Sequence, residues 1–330
     1  MQQTIFFSEA GLKIVTNPFL VGDELLELAT QSSVDFLKQL HSDTKQLSTV
    51  KHPVCLLNIL RGGRYYGLES AWKRLYDTKE PKLHLAEIRA GRYLNAGTKE
   101  WNCNVWFDEE ISSMSPFYSK QNLLKCQTLI IGDTIATGST LKAFSCVSFF
   151  QKKKKKGKIK KKVREPLTVY IFSIAGSSIV AKNLRSLVKE LQTNDKINVH
   201  LYLANAAWEL NEENGTDLSL VTSRDNIHPK AFEYIDKICG KNFAKHMKCA
   251  VWDWGQRFDG IDEHLKEVVE YFHTFHPADL PPHIRKHNLH TLHVYLVLAI
   301  KTDYTMTVFE YFNCISVKKQ NLFSNRLMKK

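Results

Sequence analysis

Thr128-Leu129-Ile130-Ile131-Gly132-Asp133-Thr134-Ile135-Ala136-Thr137-Gly138-Ser139-Thr140-Leu141 is the stretch whose reading decides the fold. Its first half is a short apolar run rich in β-branched residues, which predicts a fully buried parallel strand. Its second half turns through small residues, Ala136 to Thr140, into a helical pattern carried by Leu141, Ala143 and Phe144. A strand that stops at an acid and turns through Thr-Gly-Ser-Thr into a helix makes a phosphate cradle. Successive backbone N–H groups meet the anion, the helix N-terminus adds partial positive charge, and the Thr and Ser hydroxyls add donors. Gly138 lets the main chain approach where a Cβ would stand in the way. Asp133, at the carboxyl end of the strand, is placed to accept hydrogen bonds from sugar hydroxyls.

Working back toward the N-terminus, Val54-Cys55-Leu56-Leu57-Asn58-Ile59-Leu60 predicts a second buried strand that ends in Arg61-Gly62-Gly63-Arg64. A helix follows it, with Leu68, Ala71, Trp72 and Leu75 facing inward. Strand, Arg-Gly-Gly, helix is a second anion-binding corner of the same physical kind. Between the two corners, His84 to Ile88 reads as a further strand, followed by Arg89-Ala90-Gly91-Arg92-Tyr93. Residues 94–118 are expected to form a polar loop carrying Trp101 and Trp106. Ahead of all this, residues 1–21 read as an extended arm. Gly22-Asp23 opens an amphipathic helix through Leu25, Leu26, Leu28, Ala29, Phe36, Leu37 and Leu40.

Toward the C-terminus, the helix begun at Ser139 is expected to reach about Phe150 and run into KKKKKGKIKKKVR at 152–164. These thirteen residues hold nine Lys and one Arg and no acid, so they cannot pack, and they read as a solvated insertion in a helix-to-strand connection. Leu167 to Ala175 and Ile197 to Leu203 predict two more strands, with a helix between them opened by Gly176-Ser177-Ser178. Strand and helix alternating in this way predict an α/β fold: an open, mostly parallel sheet with helices on both faces. In such sheets ligands bind outside the carboxyl ends of the strands, where both corners lie. Residues 205–265 form a smaller region beyond the sheet, ending in Trp252-Asp253-Trp254-Gly255-Gln256-Arg257 and an amphipathic helix from Glu263 to His273. A Pro-rich turn follows at Pro277 to Pro282. His283, His287, His290 and His293 recur at helical spacing without Cys or a close acid, a poor metal set.

The 128–141 stretch resembles the phosphoribosyl-pyrophosphate signature of the type I phosphoribosyltransferases: an apolar run, acids, two or three mostly apolar residues, then Thr-Gly and a hydroxyl residue. That family usually has two adjacent acids, whereas this chain has Gly132 and then Asp133. Leu60-Arg61-Gly62-Gly63 is similar to the Leu-Arg-Ala-Gly of the uracil branch. Asp253, Trp254, Gly255 and Arg257 fall on matching positions of that branch's Gly-Asp-x-Gly-Asp-Arg, with Trp252 and Gln256 as departures. The resemblance implies a phosphoribosyltransferase-like α/β domain over 1–286, with a hood and base site in 205–265 and an appendage at 287–330. It implies transfer of ribose-5-phosphate from phosphoribosyl pyrophosphate (PRPP) to a nucleobase, uracil first, in nucleotide salvage. The alternative is a non-catalytic regulator or nucleotide-binding protein of the same fold.

The resemblance also implies roles for single residues. PRPP meets Ala136, Thr137, Gly138, Ser139 and Thr140 at its 5′-phosphate and Asp133 at its ribose, with Asp133 also an indirect ligand of Mg²⁺. The pyrophosphate meets Arg61, Gly62 and Gly63, helped by Arg89, Arg92 and Lys99 from a mobile loop. Asp133, Arg61, Arg89 and Arg92 are the expected catalytic residues. Asp253, Trp254, Gly255 and Arg257 present the base. A homodimer is the expected assembly.

Composition sets the outer bounds. With 330 residues, 43% hydrophobic and 24% charged, the chain has the make-up of an ordinary globular protein. Its net charge of +12 is concentrated in 152–164, leaving the rest nearly neutral, so a nucleic-acid partner is expected only through that run. Seven Cys without a CxxC pair predict reduced thiols and a cytoplasmic setting, with nuclear entry conceivable through the Lys run. No secretory signal is read at the N-terminus, and the longest apolar run, Val294 to Ile300, is too short to span a bilayer.

Overall fold

The computed structural model describes residues 1–44, 53–60, 62–76, 82–94, 101–107, 126–141, 167–192, 197–210, 218–248 and 254–287. In chain order its strands are β1 Gln2–Phe6, β2 Val54–Leu60, β3 Leu83–Leu94, β4 Trp101–Phe107, β5 Thr128–Gly132, β6 Leu167–Ser173, β7 Gly176–Ser177, β8 Ile197–Ala204, β9 Ala207–Leu210 and β10 Leu218–Ser219. Seven of them build one sheet in the order β1-β8-β6-β5-β2-β3-β4, in which every neighbouring pair is parallel except β3 with β4. This is the α/β, mostly parallel sheet that the apolar runs predict. β5 lies at its centre, buried along its whole length, because Leu129, Ile130 and Ile131 have helices above and below them.

Alternation along the strands sorts side chains into two cores. Val54, Leu56, Leu85, Ile130 and Phe172 point to the face covered by α1 Glu9–Thr16, α2 Gly22–Thr44 and α3 Leu68–Leu75. There Phe36 of α2 stacks on Phe172 at 4.6 Å and Tyr66 meets the same ring edge-on at 5.5 Å. Cys55, Leu57, Leu129, Ile131 and Ile171 point to the opposite face, covered by Val180, Ala181 and Leu184 of α4 Ser178–Gln192. Each helix needs only one apolar stripe, and the central strands are covered on both faces. Among the described residues no helix is long and apolar enough to cross a membrane.

The extended arm expected over 1–21 is corrected: the segment is an edge strand and a helix. Gln2–Phe6 pairs in parallel with His200–Ala204, and its polar Gln residues hide the strand pattern because an edge strand is only partly covered. Ser8 then caps α1, its hydroxyl accepting from Gly11 N–H at 3.1 Å, while Asn205 locks the two strand ends by taking Ser8 N–H and donating to Ser8 C=O. The polar loop expected over 94–118 is corrected in part as well. β3 runs on to Leu94, and 101–107 returns antiparallel as β4, with Arg89 opposite Trp106 and Arg92 opposite Cys103. Alternating Asn102 and Asn104 with Cys103 and Val105 is a strand pattern that the tryptophans obscured. The insertion at 152–164, the helix beyond 141 and residues 288–330 lie outside the described residues.

Beyond the sheet, β7, β9 and β10 form a small second sheet, followed by α5 Pro229–Ile238, α6 Gly240–Phe243, α7 Gln256–Asp259, α8 Ile261–His273 and α9 Pro282–Arg285. This region grips the link between α1 and α2 through its carbonyls. His264 Nε2 bonds Pro18 C=O at 2.8 Å and His283 Nε2 bonds Thr16 C=O at 2.8 Å. Burial, with Arg257 nearby, pulls the His264 pKa down from 6.5 to about 4, so it is neutral in the folded chain. The unfolded chain takes up that proton near its ordinary pKa, so stability is full above about pH 6.5 and is lost as pH falls toward 4. Urea titrations should therefore show about 2 kcal/mol less stability at pH 5 than at pH 7 from this residue. The difference should shrink in His264→Gln; equal pH dependence in both chains would remove His264 as its source.

Candidate functional site

β2 and β5 are parallel neighbours in register from Val54 with Thr128 to Asn58 with Gly132, so both anion corners leave the sheet at one edge. They touch there: a Cβ on Gly63 would stand 2.7 Å from Gly132 O. Past Gly132 the chain is steered by main-chain bonds to the β6 side. Asp133 N–H donates to Phe172 C=O at 3.1 Å, Ile135 N–H to Ala175 C=O at 3.1 Å, and Ser177 N–H returns to Ile135 C=O at 2.9 Å. Side chains then fasten the turn from outside. Ser177 Oγ donates to Ala136 C=O and accepts from Val180 N–H at 3.1 Å, and Asn183 Nδ2 donates to Thr137 C=O at 2.8 Å.

With its carbonyls anchored, the turn presents its amides. Among the described residues nothing accepts from the N–H groups of Ala136, Thr137 or Gly138. Gly138 has φ +79°, a left-handed conformation that lets successive amides face a common point. Thr137 Oγ1 and Ser139 Oγ are 2.7 Å apart beside them, and residues 139–141 begin the helix. Asp133 is half-buried, with Oδ1 accepting from Thr134 N–H at 2.9 Å. A carboxylate and a row of donor amides thus share one strand end. Cys103 of β4 reaches the same turn, its Sγ 4.0 Å from Thr140 Oγ1.

The corner after β2 continues as a 3-10 turn, Gly63–Tyr66, and is joined to the 254–259 segment. The Trp254 indole lies against Gly62, where a Cβ would be 3.1 Å from its Cδ1, and 5.3 Å from the Tyr66 ring. Tyr65 stacks on Phe258 at 3.9 Å and donates to the Asp259 carboxylate at 2.6 Å. Burial, then this bond, pushes the Tyr65 phenol up to about 12. Gly62, Gly63, Tyr66 and Trp254 are themselves buried, so the Gly-Gly corner and the 254–259 segment meet through packed groups at the carboxyl edge of the sheet.

Of the remaining expected residues, Arg89 is exposed on β3 and Arg92 lies three residues further along the same strand. Gly255 opens α7. Arg257 is placed elsewhere: fully buried, its Nε and Nη2 donate to Leu20 C=O at 2.9 and 2.7 Å and Nη2 to Asn17 C=O at 3.0 Å. It holds the α1–α2 link, an assignment no local pattern reveals. Arg61, Lys99 and Asp253 lie outside the described residues. Gly132 is also tightly enclosed, since a Cβ there would be 2.8 Å from Leu68 Cδ1 and 3.1 Å from Tyr66 Cδ1. Where the resembling family has its first acid, the Leu68 side chain and the Tyr66 ring close on Gly132. Of the further residues at this strand end, Tyr66, Thr134 and Asn183 have no role in the sequence reading, and Ser177 enters it only as part of a helix start.

Among the described residues no group of three or more His, Cys, Asp or Glu is placed to hold a metal ion. With Asp133 the one acid on this turn, a Mg²⁺ ion would have to be held mainly by oxygens of a bound ligand and by water. No family model matches this chain, and no curated protein matches it.

Proposed function

We propose that this chain binds PRPP at the 133–140 turn and transfers its ribose-5-phosphate to a nucleobase, uracil first, releasing pyrophosphate. The observation that carries this reading is the set of amides at Ala136, Thr137 and Gly138, from which nothing among the described residues accepts, beside the Asp133 carboxylate. The amides bind the 5′-phosphate dianion, and Asp133 accepts from the ribose hydroxyls. Arg61, which precedes the buried Gly62-Gly63 corner, is the charge assigned to the departing pyrophosphate. Mg²⁺ bound with PRPP neutralises phosphate charge. The 254–259 segment, packed on that corner through Trp254, presents the base. The anomeric C–O bond breaks as positive charge builds on the sugar ring, so positioning and charge neutralisation supply the acceleration without a covalent nucleophile.

Pyrophosphate release with PRPP, Mg²⁺ and a panel of free bases tests the transfer. Release with a pyrimidine is expected; PRPP binding without release from any base supports a second reading, a sugar-phosphate-binding regulator. Gly132, whose surroundings have no room for the second acid, favours that reading. In calorimetric titrations Asp133→Asn should weaken PRPP binding by about tenfold or more, as expected for loss of a charge-assisted bond. Asp259→Asn, which alters only the Tyr65 contact, should stay within about threefold. Equal losses would remove the ribose assignment.

A further inference from the structure

We infer that Asn183, on the exposed side of α4, is a positioning residue of the anion site: by holding Thr137 C=O it aims the Gly138 N–H at the bound phosphate. The inference rests on the sugar-phosphate reading above and deepens it by a residue that acts through the main chain of the turn. In a trans peptide the carbonyl of one residue and the N–H of the next lie in one plane and point in opposite directions. Fixing a carbonyl therefore fixes the amide after it. Three successive carbonyls of the turn are held from the side of β7 and α4. Ile135 C=O accepts from Ser177 N–H at 2.9 Å, Ala136 C=O from Ser177 Oγ, and Thr137 C=O from Asn183 Nδ2 at 2.8 Å. The amides that these three planes turn the other way are those of Ala136, Thr137 and Gly138, from which nothing among the described residues accepts. Neighbouring N–H groups turned to one side are what an anion needs.

Of the three planes, the last depends most on a surface side chain. Ser177 is fully buried, and its Oγ is itself fixed by accepting from Val180 N–H at 3.1 Å. The Thr137–Gly138 plane ends in glycine, which tolerates either sign of φ, so this plane can turn over and carry its N–H away from the ligand. The Asn183 bond opposes that turn-over and keeps Gly138 at φ +79°. Its partner is a carbonyl, which can only accept, so the amide nitrogen of Asn183 is the group that faces Thr137. A donor on the carbonyl also polarises the peptide and strengthens its N–H toward an anion. Asn183 is exposed, whereas α4 is anchored by Val180, Ala181 and Leu184, so replacing Asn183 leaves the core untouched.

That separation gives the test. Calorimetric titration of the full chain with inorganic phosphate and, separately, with ribose 5-phosphate is compared for wild type, Asn183→Leu, Asn183→Asp and Asn183→Gln. The amide resonance of Gly138 is followed through each phosphate titration. Asn183→Leu, neutral and without a donor, should weaken both ligands by about fivefold while Tm stays within about 2 °C. In that variant the Gly138 resonance should respond less to phosphate than in wild type. Asn183→Asp has the same shape and an added charge; it should lose at least as much, and its excess loss over Asn183→Leu should fade at high salt. Asn183→Gln keeps the donor on a longer stem and should recover most of the affinity. Undiminished binding in Asn183→Leu, an equal loss in Asn183→Gln, or an unchanged Gly138 response would overturn the inference and leave the cradle reading standing. A wild-type chain that binds neither ligand would overturn the cradle reading and the inference with it.

Discussion

Gly132→Asp, which restores the pair of acids usual in the resembling family, is expected to unfold or severely weaken this protein instead of improving its site. A Cβ at residue 132 would stand 2.8 Å from Leu68 Cδ1 and 3.2 Å from Tyr66 Cβ. The leucine end can swing aside, but the tyrosine Cβ moves only with the backbone of the Gly63–Tyr66 turn. Overpacking of this kind costs about 1–3 kcal/mol. The new carboxylate would also be buried against a phenyl ring and an aliphatic chain, adding several kcal/mol unless it stays protonated. A total on the order of 4 kcal/mol is a large part of the stability of an ordinary domain. Differential scanning fluorimetry should show a fall in Tm of roughly 10 °C or more, with Gly132→Ala showing the smaller steric share. A Gly132→Asp chain as stable as wild type, and tighter for PRPP, would show that the single acid is an ordinary loss and that Leu68 and Tyr66 leave room for a second one.

The reason that expectation can be stated at all lies in what one chain segment does and does not encode locally. Thr128 to Leu141 was legible because a strand buried on both faces must be an apolar run, and a turn that bares its amides needs small residues and a left-handed glycine. The same logic reached β2, β6, β8 and the amphipathic helices. It failed at β1 and β4, whose exposed sides admit Gln, Asn and Trp and blur the apolar signal. It failed more deeply at Tyr66, whose hydroxyl meets Thr134 and Ile174 only because β2, β5 and β6 end side by side, a tertiary fact. Gly132 and Tyr66 are 66 positions apart and become one feature only when the sheet order is known.

Arg257 shows the same limit from the other side, and its replacement is the second large effect expected. By position in the 252–257 segment it reads as a base-site residue, yet its guanidinium spans two carbonyls, Asn17 and Leu20, from a fully buried position. Arg257→Met keeps much of the stem but takes both donors from Leu20 C=O and leaves Asn17 C=O only the Leu20 N–H at 3.3 Å, next to Pro18 C=O and Thr16 C=O, which His264 and His283 hold. Bonds from a charged donor contribute about 1.5–3 kcal/mol each, and relief of the buried charge returns part of that, so a net loss of about 3 kcal/mol is expected. Arg257→Lys should fare little better, since a single ammonium cannot reproduce the planar fork that reaches both oxygens. Urea unfolding at pH 7 measures the loss directly. Because α7 carries Arg257 on the segment that packs on the Gly-Gly corner, loosening this clamp should also lower base-dependent turnover, but only in proportion to the fraction unfolded. A variant that keeps wild-type stability and loses only base affinity would return Arg257 to the base site and leave the α1–α2 link to the two histidines.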